Sequence, residues 1–534
     1  MPKMDLGPDD GASPAITGHH TDYRAEVAGG DATATDLATS TKAHLDRADS
    51  IILAIVCLAQ FMVVLDISIV NVALPSIQKS LGFTAANLQW VVTAYSLTFG
   101  GLLLLGGRLA DLFGRRRILL IGLILFTGAS LVGGFAQNQG TLIAARSLQG
   151  IGAAVLSPAT LTILTVTFTE QRARARALGV WSAVAAGGGA AGALFGGFLT
   201  QYLSWRWILF VNVPIGIVLF LFARFYLVES RADGPRQRLD LAGSIAVTGG
   251  LLALVYTIVH TDQVSWTSHS TLLTGAIAVV LLAAFVVIEA GLASHPLVPL
   301  RMFRSRALTV ANLVMFCFGV AMFAMWFFLS LYLQQVLGYD PVVTGLTFIP
   351  QTAAIAIGAT IAGRLAPKVG PRNVLVVGSF FAAAGLYWLS FIQAGDSYWT
   401  VACGGGIMAT FGMGLAFTPI ALSATGGVRR EEAGLASGLV NSSRQIGASL
   451  GLAVLSTVAA THIAALLAGH PVTPEAERVA MTAGYARGFL IASIVALAAG
   501  LMALIIPRQV SLAAPLAAQA AASTETPAVP LVEP

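Results

Sequence analysis

Charge is what this sequence most lacks. Only 10% of its 534 residues are Asp, Glu, Lys or Arg, and 56% are apolar; an ordinary soluble chain carries about 25% charged residues. Cysteine is nearly absent, and Cys57, Cys317 and Cys403 each sit inside an apolar run, which argues against a disulfide framework or a thiolate metal site. The eight histidines never fall at metal-ligand spacing. No cluster of nucleophiles, paired acids or metal ligands is present, so the chain reads as a non-enzyme that needs no cofactor. What remains is uncharged length. Residues 118–135, 241–259 and 272–288 carry no charge, and each approaches the ~20 residues that cross a bilayer. These features define an all-α membrane protein.

Fourteen candidate spans follow from residue 51 onward, at 51–73, 88–107, 117–136, 141–166, 175–200, 206–224, 241–260, 271–291, 307–336, 342–364, 372–393, 397–424, 434–465 and 483–506. Residues 1–49 are polar, have no apolar h-region and are expected to form a disordered cytoplasmic tail; residues 507–534 form a second cytoplasmic tail. Basic residues set the orientation, because cytoplasmic loops carry the excess. With the N-terminus inside, twenty of them fall at cytoplasmic ends, among them Arg108, Arg116, Arg117, Arg238 and Arg430. Lys79, Arg206, Arg478 and Arg487 alone fall outside. Both termini are therefore expected in the cytoplasm, and topology rather than nucleic-acid binding explains the sequence pI of about 9.2.

The chain also repeats itself. Gly107-Arg108-Leu109-Ala110 followed by Gly114 returns as Gly363-Arg364-Leu365-Ala366 followed by Gly370, an offset of 256. Gly150, Gly152 and Pro158 return as Gly412, Gly414 and Pro419, and Glu170 returns as Glu431, at offsets near 261. The repeat pairs helices 1–6 with helices 9–14 and leaves helices 7 and 8 inserted. The expected division is 50–228, an inserted 229–306, and 307–506. Parallel repeats about an axis along the membrane normal are the plan of rocker-type transporters, with a substrate site near the midplane.

Several motifs together resemble the fourteen-spanner drug:proton antiporter branch of the major facilitator superfamily. They are LDISIVNVALP at 65–75, GRLADLFGRRR at 107–117, LIAARSLQGIGAA at 142–154, WRWILFVNVPIG at 205–216, PLVPLRMFRSR at 296–306 and SGLVNSSRQIGASLG at 437–451. Three positions, in two motifs, depart from the pattern. Leu112 stands where a basic residue is usual, and Gly189 and Ala193 stand where the helix 5 motif has prolines. The resemblance implies two six-helix bundles plus an inserted pair. It also implies export of small amphiphilic or cationic molecules by alternating access, driven by the proton gradient across a bacterial inner membrane, by a monomer. A proton-coupled importer of a small metabolite, with the same fold, is the alternative.

Asp66 is the acid of helix 1. A carboxylate at bilayer depth costs about 2.5–3.5 kcal/mol and needs a partner, water or a proton. It reads either as a proton-exchanging group or as a structural acid hydrogen-bonded near the outer mouth, and the resemblance implies the former. Arg146, two turns into helix 4, either faces a polar partner or snorkels to the surface; the resemblance implies proton coupling. On helix 13, Ser437, Asn441 and Arg444 recur at i, i+4 and i+7, which is one face. The expected substrate path takes in Gln60, Asn71, Gln149, Ser437, Asn441, Arg444 and Gln445. Gly107, Asp111, Gly114 and Arg115 are expected to gate the cytoplasmic side, with Asp111 facing the positive N-terminus of helix 13 while pairing with Arg115. Gly188, Gly192, Gly196 and Gly197 of helix 5 belong to the same expected gate.

Overall fold

The computed structural model describes residues 47–231, 239–261, 264–293, 296–426, 428–429, 432–468, 471 and 473–507. Residues 1–46 and 508–534 (nearly all of both expected tails), and also Arg238, Arg430 and Glu431, lie outside the described residues. The chain divides into two units, Met1–Ser50 and Ile51–Pro534, and the site lies wholly in the second.

Among the described residues there is no strand, and fourteen helices are long and apolar enough to cross a membrane. They are α1 (Asp49–Leu81), α2 (Asn87–Phe113), α3 (Arg115–Gly134), α4 (Gln139–Thr167), α5 (Gln171–Tyr202), α6 (Trp207–Tyr226) and α7 (Leu241–His260). The series continues with α8 (His269–Leu292), α9 (Arg306–Val336), α10 (Pro341–Val369), α11 (Pro371–Leu389), α12 (Ala402–Thr425), α13 (Ala433–Leu467) and α14 (Pro474–Ala503). The protein is therefore a multi-pass membrane protein.

Local chemistry sets the boundaries that hydropathy misplaces. α14 starts nine residues before the expected 483, because Thr473 caps it, Pro474 occupies its first turn, and Glu475 and Glu477 complement its dipole. α1 runs past the expected 73 and through Pro75 to Leu81. Proline has no N–H, so the carbonyl of Asn71, four residues back, loses its helical partner. α6 is interrupted at Val211, three residues before Pro214, and α10 at Phe348, two residues before Pro350.

The repeat read from the sequence is a repeat of packing. α2 and α3 pack on α4, and α3 also packs on α6; eight helices later, α10 and α11 pack on α12, and α11 on α14. The repeats meet through α2 with α13 and α5 with α10, which are equivalent pairs under the same offset. α7 and α8 pack together, and α7 lies against α2 and α13.

One end of the bundle, the basic face, carries the α2–α3 and α10–α11 connections; the opposite end is the far face. Both basic-face turns place a glycine at positive φ, Gly114 at 106° and Gly370 at 87°, a region that favours residues without a β-carbon. Gly114 has a second constraint. The Glu229 carboxylate caps α3 by accepting from the backbone N–H of Arg116 and of Arg117, each at 3.2 Å, and a β-carbon at Gly114 would collide with it. Many exposed side chains of the spans are large and apolar, such as Ile277, Val279, Val280 and Val286 on α8, as a lipid-facing surface requires.

Candidate functional site

The centre of the first repeat holds a buried polar network. Asp66 is 0% exposed, fifteen residues from the end of α1. Arg146 of α4, 1% exposed, donates from Nη1 to Asp66 Oδ2 at 2.6 Å. Two carboxamides complete the shell: Gln149 Nε2 donates to Asp66 Oδ1 at 3.0 Å, and Asn212 Nδ2 of α6 donates to the same oxygen at 2.9 Å. Gln149 Nε2 also reaches Ser130 Oγ at 2.6 Å, and Arg146 Nε donates to the carbonyl of Val91 at 3.0 Å. The Arg146 guanidinium lies 4.5 Å from the centre of the Tyr95 ring. Arg146 thus does not snorkel. Its charge is matched by a carboxylate whose remaining lone pairs are taken by amides, the arrangement in which a buried ion pair is tolerable.

On α13 the side chains expected to share a face differ in exposure. Ser437 is exposed, Asn441 and Arg444 are partly exposed, and Arg444 Nη2 donates to Asn441 Oδ1 at 2.8 Å. Gln445 is buried and turned toward Gly100 of α2. Gln60 accepts from Ser157 Oγ at 3.1 Å and joins α1 to α4 on the basic-face side of Asp66.

Asn71 belongs to a different device from the expected substrate path. Its carbonyl, freed by Pro75, accepts from Ser330 Oγ of α9 at 2.7 Å, and Gln334 Nε2 of α9 donates to the next carbonyl, Val72, at 2.8 Å. Gln335 Nε2 donates to Gln78 Oε1 at 2.7 Å, and Val342 N of α10 to Gln201 Oε1 of α5 at 3.0 Å. These four bonds tie the repeats together at the far face.

The glycines of α5 divide in the same way. β-Carbons at Gly188, Gly192 and Gly196 would meet α1, at 3.1 Å from the Phe61 carbonyl, 2.6 Å from Ser68 Cβ and 2.7 Å from the Ile69 carbonyl. These three let α1 and α5 pack closely inside one repeat. Gly197 alone faces the other repeat, against Pro341 of α10. Gly107 is in ordinary contact with Pro158.

On the basic face the expected lock is not made. Asp111, with its side chain 45% exposed, pairs with Arg115 at 3.4 Å and makes no described bond to α13. The anion before α13 is instead Glu432, bridged by Arg429 at 2.7 Å and Arg301 at 2.8 Å. The Arg429 hydrogen bond, followed by the charges of both arginines, holds its carboxyl below the usual range. Among the described residues the four bonds that tie the repeats lie at the far face, and Asp111 adds none at the basic face. Ser330→Ala removes one bond of the tie, a loss of about 1 kcal/mol. Labelling of a cysteine introduced at Val342 is expected to rise about fivefold, and unchanged labelling would remove Ser330 from the gate.

Sequence reasoning missed Asn212, Ser130, Tyr95 and Ser330. Asn212 sat inside a quoted motif, and a lone amide in an apolar span was its signal. Ser330 had none, because its partner is a carbonyl that only the α1 proline frees.

Comparison with known proteins completes the description. Residues 56–452 match the family model described as Major Facilitator Superfamily. The cephamycin export protein CmcT of Amycolatopsis lactamdurans is 44% identical over 76% of this chain and 84% of its own length. The puromycin resistance protein pur8 of Streptomyces alboniger is 42% identical over 81% and 86%. Among solved structures, an inward-facing, occupied bacterial homologue of the human lysosomal transporter Spinster aligns with a TM-score of 0.61 at 17% identity, over 86% of this chain and 96% of its own. The chain belongs to the Major Facilitator Superfamily. It is a membrane transporter of that superfamily's fourteen-spanner drug-transporter branch, and not an enzyme.

Proposed function

We propose that the chain is a proton-coupled antiporter that exports small amphiphilic drugs or natural products from the cytoplasm. Its basic face is assigned to the cytoplasm, with both termini on that side of a bacterial inner membrane, because arginine accumulates there. Residues 50–228 and 307–506 are the two moving bundles, and 229–306 is the insert. The observation that carries the reading is the Asp66–Arg146 pair, one titratable group sealed at bilayer depth and held by three side-chain donors. A carboxylate so placed is released from its partners most simply by gaining a proton. The resistance and export roles named for pur8 and CmcT support the direction of flux.

Inverted membrane vesicles provide the test. An imposed proton gradient is expected to drive uptake of an amphiphilic dye, and a protonophore to abolish it. Uptake that ignores the protonophore would remove proton coupling, and efflux on energisation would reverse the direction to import.

A further inference from the structure

The charges at the centre of the bundle do not cancel. Asp66 is matched by Arg146 at 2.6 Å. Arg444 has no such partner: none of the five ion pairs among the described residues includes it, and its one hydrogen bond is to the neutral Asn441. Among the described residues Tyr95 lies within electrostatic range of it. Eleven residues from the start of α13, Arg444 lies about 16 Å along the helix, near the middle of a ~30 Å hydrocarbon layer. A cation at that depth with four of five donors unused is costly unless water or an anion reaches it. Its partial exposure, on the same face as the exposed Ser437, shows that something can.

Buried polar groups of α13 and α2 are idle in the same sense. Gln445 is 0% exposed, and neither its carboxamide oxygen nor its nitrogen has a partner. Tyr95, 1% exposed, has an unpartnered hydroxyl, as does the buried Ser442. Tyr95 lies within electrostatic range of Arg146 and Asp66 as well as Arg444. Buried polar groups in native proteins are nearly always satisfied, so an idle hydroxyl within electrostatic range of an unpaired guanidinium needs an explanation. A guanidinium prefers planar oxyanions, which it can grip with two parallel bonds.

We infer that Arg444, with the Tyr95 hydroxyl, forms an anion subsite that takes an acidic group, a carboxylate or sulfonate, on the transported molecule. The inference rests on the export reading and narrows it. It narrows the amphiphilic or cationic substrates expected from the sequence toward acidic ones, since with Asp66 matched by Arg146 the described centre carries one net positive charge. A cationic substrate would meet Arg444, and the described acid at that depth, Asp66, is already paired with Arg146.

Three fluorescent probes test this on the purified full chain in lipid nanodiscs: anionic anilinonaphthalene sulfonate, neutral N-phenylnaphthylamine with nearly the same rings, and cationic ethidium. Arg444→Gln is expected to weaken sulfonate binding about tenfold, the effect of losing a charge-assisted contact, and to leave the neutral probe within about twofold. Arg444→Lys keeps the charge and should recover part of the loss. In the wild type, benzoate should displace the sulfonate probe and benzamide should not, a comparison that needs no variant to fold. Equal sulfonate affinity in wild type and Arg444→Gln, equal losses for both naphthalene probes, or displacement by benzamide as strong as by benzoate would overturn the subsite. Vesicle transport of the neutral probe judges the export reading separately. If the wild type accumulates none under a proton gradient, that reading fails while the binding series still decides the subsite.

Discussion

Asp66→Asn is expected to abolish uphill export in the carrier that folds, and also to lower that folded fraction, because Arg146 is left buried without its counter-charge. The reason lies in what surrounds the carboxylate. Arg146, Gln149 and Asn212 all present donors to it, so the carboxylate is held in place within the first repeat. Protonation removes the charge that those donors grip and frees Asp66 and Arg146 to separate. An asparagine is permanently neutral, so it occupies the released state whatever the gradient does. In inverted vesicles, gradient-driven accumulation should fall to the level seen with a protonophore, and substrate-induced proton release should vanish. Downhill flux and probe binding should persist, because Arg444 and its neighbours are untouched. Asp66→Glu keeps the acid and should keep part of the coupling. Full uphill transport with intact proton release in Asp66→Asn would move the coupling site elsewhere.

The second large effect concerns stability. Arg146→Gln leaves the Asp66 carboxylate buried without its counter-charge, and stranding one member of a buried pair typically costs about 3–5 kcal/mol. Much of the expressed protein should therefore be lost from the folded fraction, with a clearly lowered unfolding temperature in detergent. Removing the acid as well should relieve most of this cost, since the double variant Asp66→Asn/Arg146→Gln buries amides in place of charges. The double variant should be more stable than Arg146→Gln alone, a non-additivity that a double-mutant cycle isolates. Additive losses across the cycle would show that the two residues do not act as a pair, despite their 2.6 Å contact.

Much of the fold was legible because lipid leaves a chain few options. With no water to satisfy backbone groups, each long apolar run must be a helix, and fourteen runs became fourteen helices. The helix ends were less legible where a cap or a proline, rather than hydropathy, decides them, as at Thr473 and Pro75. The network's members were partly legible for a related reason. A charged or amide side chain in an apolar span stands out, which brought Asp66, Arg146 and Gln149 forward, whereas Tyr95 and Ser130 pass as ordinary span residues. The helix 5 glycines show the reverse case. Their spacing marked a helix face correctly, but spacing does not say which helix covers it, and for Gly188, Gly192 and Gly196 that is α1 of the same repeat.

By itself, then, the sequence determined the class, the number of spans, the repeat and the candidate polar residues, because hydropathy, glycine placement and charge bias act locally and survive in one dimension. Only the tertiary structure decided how those residues pair. Asp66 and Arg146 are eighty residues apart in the chain, and Asn71 and Ser330 are 259 apart. Whether a buried charge finds its opposite depends on which helices become neighbours. That packing matched Arg146 and left Arg444 with a neutral amide, a difference that two arginines in two apolar helices do not reveal until the helices are brought together.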